Sequence, residues 1–195
     1  DYCLTPDDNL SEFDKDGKLA EIYAAYEQRL KATGNADFGD LIMRPVQIIE
    51  KNETIRSQML HRFRVIMVDE YQDSNVAQFR LLQALSGVKE NSGTYVCVVG
   101  DDDQSIYKFR GAEVQNILQF PNLFPGTKII RLERNYRSTG KILAAADAVV
   151  SNNTDRLGKT LVAARGEGTA PVLVFLEKQD KEAAFCAQLI QKAVE

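Results

Sequence analysis

The chain has 195 residues, of which 44% are hydrophobic and 27% are charged, and its net charge of −4 gives an isoelectric point of about 5.2. Such a composition is typical of one large or two small globular domains, and it lacks the overall basic charge that signals nucleic-acid binding, so any DNA contact must come from a local surface. No apolar run approaches the ~20 residues of a membrane helix, and the first residues lack the basic region and apolar core of a signal peptide.

The cysteines are few and far apart. Cys3, Cys97 and Cys186 are odd in number and widely spaced, which predicts free thiols in a reducing compartment and a cytoplasmic location. With one histidine, His61, and no cysteine pair, we do not expect a zinc site.

The first third of the chain is predicted to be helical. An acidic loop over 7–16 precedes an amphipathic helix over 18–33, and a second helical pattern begins near Asp37. Pro45 is expected to kink or interrupt that second helix. A third helical segment over 53–61 leads into the first strand.

The first predicted strand ends on two adjacent acids. Residues 65–68 are an apolar run typical of a buried parallel strand, and Asp69 and Glu70 follow it directly. Both acids then lie at the carboxyl edge of the sheet, where open α/β folds bind ligands. One acid can hold Mg²⁺ while the other orients water, as phosphoryl transfer requires. For these two residues alone, the alternative is an ordinary polar turn.

A second strand ends in polar and aromatic residues. Ser74 or Asn75 is expected to cap a helix that precedes this strand, which is predicted over 95–99. Gln104 then offers a neutral group suited to sensing a terminal phosphate. Tyr107 and Phe109, interleaved with cations, suit base stacking, although both rings could equally belong to the core.

The last third predicts two more strands. A third strand over 128–132 leads to Tyr136 and Arg137. The Tyr136 ring suits stacking on a purine, and the Arg137 guanidinium suits binding of phosphate. The alternative is a packed tyrosine and a surface salt bridge. Ser138 is expected to cap a long helix. Residues 152–168 are predicted to be an exposed excursion, before a fourth strand over 172–176 and a final helix over 180–194. The alternation of strands and helices indicates an α/β fold with a parallel sheet.

Three of these segments carry a resemblance to a known family. Their order and spacing resemble motifs II, III and IV of the UvrD/Rep/PcrA group of superfamily 1 DNA helicases. The segments are residues 69–73 (Asp-Glu-Tyr-Gln-Asp), 99–112 (Val-Gly-Asp-Asp-Asp-Gln-Ser-Ile-Tyr-Lys-Phe-Arg-Gly-Ala) and 132–138 (Leu-Glu-Arg-Asn-Tyr-Arg-Ser). Residues 37–42 and 156–159 also resemble family segments. The similarity covers nearly the whole chain and is weakest in the first 15 residues and after Gly166.

The resemblance implies a role for each matching residue. At the ATP site, Asp69 would hold Mg²⁺, Glu70 would activate the hydrolytic water, and Gln104 would contact the γ-phosphate and act as a catalytic residue. At the DNA site, Tyr107 and Phe109 would stack on single-strand bases.

Three further residues complete the implied sites. Arg110 would link the ATP and DNA sites through an acidic partner or the DNA, Tyr136 would stack on adenine, and Arg137 would reach the γ-phosphate. Phe109 stands where many members have tryptophan, Gly39 replaces a usual acidic residue, and Arg134 often has glutamine as its counterpart.

The resemblance also implies a fold and a domain order. Residues 1–36 would end a helical accessory subdomain, 37–130 would form part of a first RecA-like motor domain of the P-loop NTPase type, and 131–195 would begin a second one. The partners would be single-stranded DNA, junctions of single- and double-stranded DNA and the remaining helicase domains, without a membrane. The cofactors would be ATP and Mg²⁺, and travel would run 3′ to 5′.

One expected motif is missing from the sequence. The family's phosphate loop, Gly-x-x-x-x-Gly-Lys-Ser/Thr, is absent before Asp69, and Gly158-Lys159-Thr160 has Asn153 where that loop needs glycine. We therefore expect a fragment that is inactive alone. Two alternatives stand beside the motor: a nucleotide-independent single-stranded DNA-binding or interaction module, and a Mg²⁺-dependent phosphatase using Asp69 and 101–103.

Overall fold

The structure is a computed structural model that describes residues 2–14, 16–88, 92–154 and 156–194. For Arg110, it describes the backbone alone. Among the described residues, three helices precede the first strand, helices and strands largely alternate after it, and the chain divides into two compact units. Unit 1 comprises Asp1–Ile130 and Asp155–Leu157, and unit 2 comprises Arg131–Thr154 and Gly158–Glu195. The helices are α1 Leu19–Ala32, α2 Asp40–Lys51, α3 Glu53–Arg62, α4 Val76–Ser86, α5 Gln115–Leu118, α6 Phe120–Leu123, α7 Gly140–Val150 and α8 Gln179–Val194. The strands are β1 Val65–Val68, β2 Tyr95–Val98, β3 Arg134–Asn135 and β4 Val162–Ala163.

The sheet of unit 1 confirms the predicted parallel α/β arrangement. Strands β1 and β2 pair in parallel, with Val65 opposite Tyr95 and Val68 opposite Val98. Because parallel strands run in the same direction, the residues that follow both strands emerge at one edge of the sheet. That shared edge is where the two groups of motif residues begin.

The core of unit 1 packs against this sheet. Tyr71, directly after β1, lies edge-on to Phe120, with ring centroids 5.6 Å apart, and Phe120 stacks on Phe124 at 4.3 Å. Ile66 and Val68 of β1 pack against the same cluster. The apolar side chains of the strand therefore fix the start of the loop that carries the acids.

Helix α4 confirms one of the two predicted caps. The Asn75 side chain accepts the backbone N–H of Gln78, and the Gln78 side chain accepts that of Asn75, a reciprocal capping box. Ser74 is instead buried, and its hydroxyl donates to the carbonyl of Tyr71 at 2.6 Å. The loop between β1 and α4 is thereby held at both ends.

Of the two outcomes expected at Pro45, interruption of the second helix is wrong, and a kink stays a prediction. Helix α2 continues through Pro45, with Val46 and Ile49 buried on its inner face. Proline has no N–H for the carbonyl of Leu41, four residues back, but Leu41 lies on the exposed side, where water can bond its carbonyl. Burial of the apolar face outweighs the lost hydrogen bond.

Two predicted strands do not form. Residues 128–132 and 172–176 are apolar but are not strands, and Leu132, Val172 and Phe175 are largely exposed. In unit 2 the parallel pair is instead β3 with β4, where Arg134 lies opposite Val162. A strand requires a hydrogen-bonded neighbour, and an apolar run by itself does not supply one.

The predicted cap of α7 is displaced by one residue. Thr139 occupies the N-cap position, not Ser138. The Asn135 side-chain oxygen accepts the backbone N–H groups of Arg137 and Ser138, at 3.0 and 2.8 Å. This local turn holds Ser138 before the helix begins.

The segment predicted as an exposed excursion is partly docked. Arg156 and Leu157 belong to unit 1, where Leu157 packs against the hydrophobic core. Arg156 makes a bidentate ion pair with the largely buried Asp103, with N–O distances of 2.7 and 2.8 Å. A polar composition therefore did not mean exposure here, because a buried carboxylate holds the guanidinium.

Across residues 2–14, 16–88, 92–154 and 156–194, no helix combines the length and the apolar character that crossing a membrane requires.

Candidate nucleotide and nucleic-acid site

The two acids after β1 lie on a strained turn. Asp69 and Glu70 are both exposed, and Glu70 has φ 49° and ψ 41°, a left-handed conformation that residues other than glycine seldom adopt. The Asp69 carboxylate accepts the Glu70 backbone N–H at 2.9 Å. A left-handed residue costs on the order of 1 kcal/mol, and such strain often marks a functional site.

A buried amide connects these acids to the end of β2. Gln72 is 2% exposed; its Nε2 donates to Glu70 Oε2 at 2.7 Å, and its Oε1 accepts the Asp101 backbone N–H at 3.0 Å. The Ser105 hydroxyl donates to the Gln72 carbonyl at 3.2 Å. The loops after β1 and β2 are thereby joined through one residue.

Gly100 leaves the room that this amide needs. A Cβ on Gly100 would lie 2.7 Å from Gln72 Oε1 and 2.9 Å from Ile117 Cδ1, which is too close for either contact. The absence of a side chain at residue 100 therefore permits the close approach of the two loops.

Gln104 continues the same network. It ends a short 3₁₀ turn over Asp102–Gln104, and its Nε2 donates to Asp101 Oδ2 at 2.6 Å. Hydrogen bonds therefore run from Glu70 through Gln72 and Asp101 to Gln104. Two predicted site residues, 34 positions apart in sequence, are brought into one connected group.

The other two acids of the 101–103 run have structural partners. Asp102 accepts the Leu157 backbone N–H at 2.8 Å, and Asp103 binds Arg156. Within the described part of the chain, no three His, Cys, Asp or Glu side chains form a group that could hold a metal ion. The structure therefore gives no support to the carboxylate cluster that the phosphatase alternative requires.

The aromatic pair lies just beyond Gln104 and is open to solvent. Phe109 is 77% exposed and Tyr107 is 37% exposed, with ring centroids 5.9 Å apart and planes tilted by 50°. The alternative that both rings belong to the core is therefore wrong. The side chain of Arg110 lies outside the described residues, so its predicted role stays a prediction.

Unit 2 holds the remaining predicted residues. Tyr136 is 68% exposed, and the guanidinium carbon of Arg134 lies 5.5 Å from its ring centroid. Arg137 is exposed, and its carbonyl accepts a hydrogen bond from Arg165 at 2.9 Å. Tyr136 is thus an exposed flat ring and not a packed tyrosine, while Arg137 stands next to it in the chain.

A separate cleft carries none of the predicted site residues. It has a volume of about 300 Å³ and lies beside α3, with Arg56, His61 and Arg64 among its lining residues. Arg64 directly precedes β1, so this cleft is at the amino-terminal end of the strand, opposite to the acids.

Sequence reasoning missed two residues of this network. The motif that contains Gln72 gives this residue no role, and the polar composition around Arg156 predicts an exposed excursion. The sequence signals for Gln72 are its place in the motif over 69–73 and its uncharged polar side chain inside an acidic run that follows a buried strand. Nothing in the local pattern around Arg156 points to Asp103, 53 residues earlier.

Two family models match the chain. The UvrD/REP helicase N-terminal domain matches residues 3–125, and the UvrD-like helicase C-terminal domain matches residues 130–195. The first of these alone covers more than half of the chain.

Several curated proteins are similar over most of the chain. A probable DNA helicase II homolog of Rickettsia conorii is 43% identical over 173 residues, which is 89% of this chain and 26% of the relative. The ATP-dependent DNA helicase UvrD1 of Mycobacterium tuberculosis is 42% identical over 180 residues, 91% of this chain and 23% of the relative. The ATP-dependent DNA helicase Rep of Escherichia coli is 39% identical over 170 residues, 87% of this chain and 25% of the relative. The chain thus spans about a quarter of the length of these relatives.

Proposed function

The chain belongs to the UvrD/Rep helicase family, and from this premise we propose that it is part of an ATP-dependent DNA helicase. The parent protein would couple ATP hydrolysis to movement along single-stranded DNA, 3′ to 5′, and to unwinding at junctions with duplex DNA. The observation that carries the proposal is the hydrogen-bonded path from Glu70 to Gln104, with an exposed aromatic pair directly after it.

The proposed domains follow the family. Residues 37–130 would belong to a first RecA-like domain and 131–195 to a second, with 1–36 ending an accessory helical subdomain. The compact units support the middle boundary, since they separate after Ile130 except for the short segment over 155–157.

Hydrolysis needs an acceptor for the proton of the attacking water. The water oxygen forms a bond to the γ-phosphorus while the bond from that phosphorus to the bridging oxygen of ADP breaks, and inorganic phosphate leaves. Glu70 would orient the water and accept its proton, and Gln104 would contact the γ-phosphate. The left-handed turn and the bond from Gln72 support this role, because they present the Glu70 carboxylate in a defined direction.

A single carboxylate suits the metal ion that the family uses. Mg²⁺ is commonly bound by one or two carboxylates, with phosphate oxygens and water as its other ligands, and the exposed Asp69 meets that requirement. When bound, Mg²⁺ would neutralise charge that develops on the phosphates. Asp69 would hold it beside Glu70.

Two neighbouring exposed residues, Tyr136 and Arg137, have proposed roles in nucleotide binding. The exposed Tyr136 ring would stack on adenine, and Arg137 would bind the γ-phosphate. The isolated 195-residue chain would hydrolyse ATP negligibly, because it has no phosphate loop to hold the β- and γ-phosphates. A DNA-stimulated ATPase of this chain alone would contradict that part of the proposal.

The central test is Glu70→Gln in the full-length parent. We expect turnover to fall by at least about 100-fold, the usual contribution of a general base, while the affinity for Mg·ATP stays within about threefold. Glu21→Gln, an exposed acid in the first turn of α1, is the matched control and should hydrolyse ATP at the parent rate. Normal turnover of Glu70→Gln would remove the residue from the base role.

A further inference from the structure

Gln72 is a buried polar side chain with both ends of its amide engaged. The Nε2 group donates to a carboxylate oxygen of Glu70, and Oε1 accepts a backbone N–H from the loop after β2. Only one orientation of the amide satisfies both neighbours, because the carboxylate cannot donate and the N–H cannot accept. The residue type is therefore specified by the two loops that it joins.

The surroundings of Gln72 match its length as well as its polarity. The side chain spans from the β1 loop to Asp101, 29 residues further along the chain, and Gly100 supplies the space for its oxygen. A charge-assisted hydrogen bond to Glu70 restricts a carboxylate that is otherwise exposed and free to change rotamer. A shorter side chain would not span these two loops, and an apolar one would lose both bonds.

We infer that Gln72 is a positioning residue for ATP hydrolysis, which holds the Glu70 carboxylate toward the attacking water and ties its position to the turn that carries Gln104. The inference rests on the proposed function and deepens it, because it adds a residue that touches neither nucleotide nor DNA. Asp101 completes the tie, since its N–H donates to Gln72 and its carboxylate accepts from Gln104.

The tie has a functional consequence in both directions. Movement of the Gln104 turn displaces Asp101, and Asp101 is bonded to the amide that orients Glu70. Coupling between two sites is reciprocal, so the setting of Glu70 also biases Gln104. The direct measure of such coupling is non-additivity between substitutions at its two ends.

The main test uses Gln72→Leu and Gln72→Glu in the full-length parent. Leucine removes both hydrogen bonds at similar volume, whereas glutamate keeps the length and the acceptor but places a second carboxylate against Glu70. We expect kcat to fall by about 10- to 100-fold in both variants, because a misplaced catalytic group loses that much rate. The dissociation constant for Mg·ATP should change by less than about threefold, since Gln72 is proposed not to touch the nucleotide.

Two controls separate positioning from folding. Gln78→Ala removes a glutamine contact of the same unit from the capping box of α4, so its kcat should match that of the parent. Thermal unfolding identifies the variants that fold. Should neither Gln72 variant fold, Gly100→Ala carries the same test. The added Cβ would lie 2.7 Å from Gln72 Oε1 and would therefore displace the amide without removing it, so a lowered kcat is again expected.

The double variants distinguish this inference from the proposed function. Adding Gln72→Leu to Glu70→Gln should cause no further loss of kcat, and Gln72→Leu with Gln104→Ala should lose less than the product of the two single effects. If Glu70→Gln is inactive but a folded Gln72 variant retains kcat within threefold, the Gln72 inference fails and the proposed function stands. If Glu70→Gln hydrolyses ATP normally, the proposed function fails at its base, and the role inferred for Gln72 fails with it.

Discussion

At the scale of single residues, Tyr71 illustrates how the core holds the acidic loop. Its ring is 1% exposed and packs edge-on against Phe120, whereas its hydroxyl has no hydrogen-bond partner among the described residues. Burial raises the pKa of Tyr71 above its ordinary value of 10.0, because the ionised phenolate would lose its hydration. The ring therefore stabilises the fold, and the hydroxyl does not.

Tyr71→Phe should preserve stability at neutral pH, or raise it by about 1 kcal/mol, because it removes an unpaired buried hydroxyl. Because the pKa of Tyr71 is higher in the folded state, the unfolded phenol ionises first. Tyr71 therefore leaves the free energy of unfolding of wild type unchanged below pH 10 and lowers it as the pH rises above 10. The variant should therefore lose less stability than wild type between pH 8 and pH 11, measured by urea unfolding. Tyr71→Ala, which deletes the ring, should cost about 3–5 kcal/mol at pH 8. An equal alkaline loss in wild type and Tyr71→Phe would contradict the argument.

At the scale of elements, helix α2 shows tertiary packing overriding a local signal. Its inner face is buried through Met43, Val46 and Ile49, and α2 packs against α4. A proline in a helix interior costs ~3 kcal/mol relative to alanine, yet the helix continues without interruption. Burial of the apolar side of α2 supplies enough free energy to offset that cost.

Pro45→Ala should therefore raise the free energy of unfolding by about 1–2 kcal/mol. Restoring the hydrogen bond and removing the ring clash should stabilise the folded state by up to ~3 kcal/mol. Without proline the unfolded chain has more conformational entropy, which lowers the net stabilisation by ~1 kcal/mol. The urea midpoint of the chain measures the change. Val46→Ala, next to it on the buried face, should lower stability by about 2 kcal/mol, and a destabilised Pro45→Ala would show that the proline ring itself packs in the core.

At the scale of the whole molecule, we propose that the exposed aromatic pair, Tyr107 and Phe109, links the motor to DNA. Stacking of one base on an aromatic ring is worth ~1–3 kcal/mol, so Phe109→Ala in the full-length parent should weaken single-stranded DNA binding by about 5- to 150-fold at fixed salt. Phe13→Ala, a partly exposed phenylalanine outside the motifs, should leave the affinity unchanged. Fluorescence anisotropy with a short oligonucleotide would measure both.

The same titration separates the motor from a simple DNA-binding module. A motor that couples its two sites should bind single-stranded DNA with different affinity when a non-hydrolysable ATP analogue and Mg²⁺ are present. A nucleotide-independent module would give identical curves with and without the analogue, and that result would favour the alternative function.

Local sequence signals are enough to predict the elements that depend on neighbouring residues. The apolar runs at 65–68 and 95–99 predict β1 and β2, and the helical periodicities predict α1, α3, α4, α7 and α8 to within a few residues. Three motifs indicate the family that the family models confirm. These features depend on neighbouring residues, since burial patterns and caps are read within a few positions of the chain.

The pairing of strands and the contacts between distant polar groups are visible in the folded chain alone. There, Arg134–Asn135 pairs with Val162–Ala163 while the apolar runs at 128–132 and 172–176 form no strand, Arg156 docks on Asp103, and Gln72 joins Glu70 to Gln104. The reason is physical: a strand or a buried amide is stabilised by partners tens of residues away. No local pattern of side chains records which distant groups will supply those hydrogen bonds.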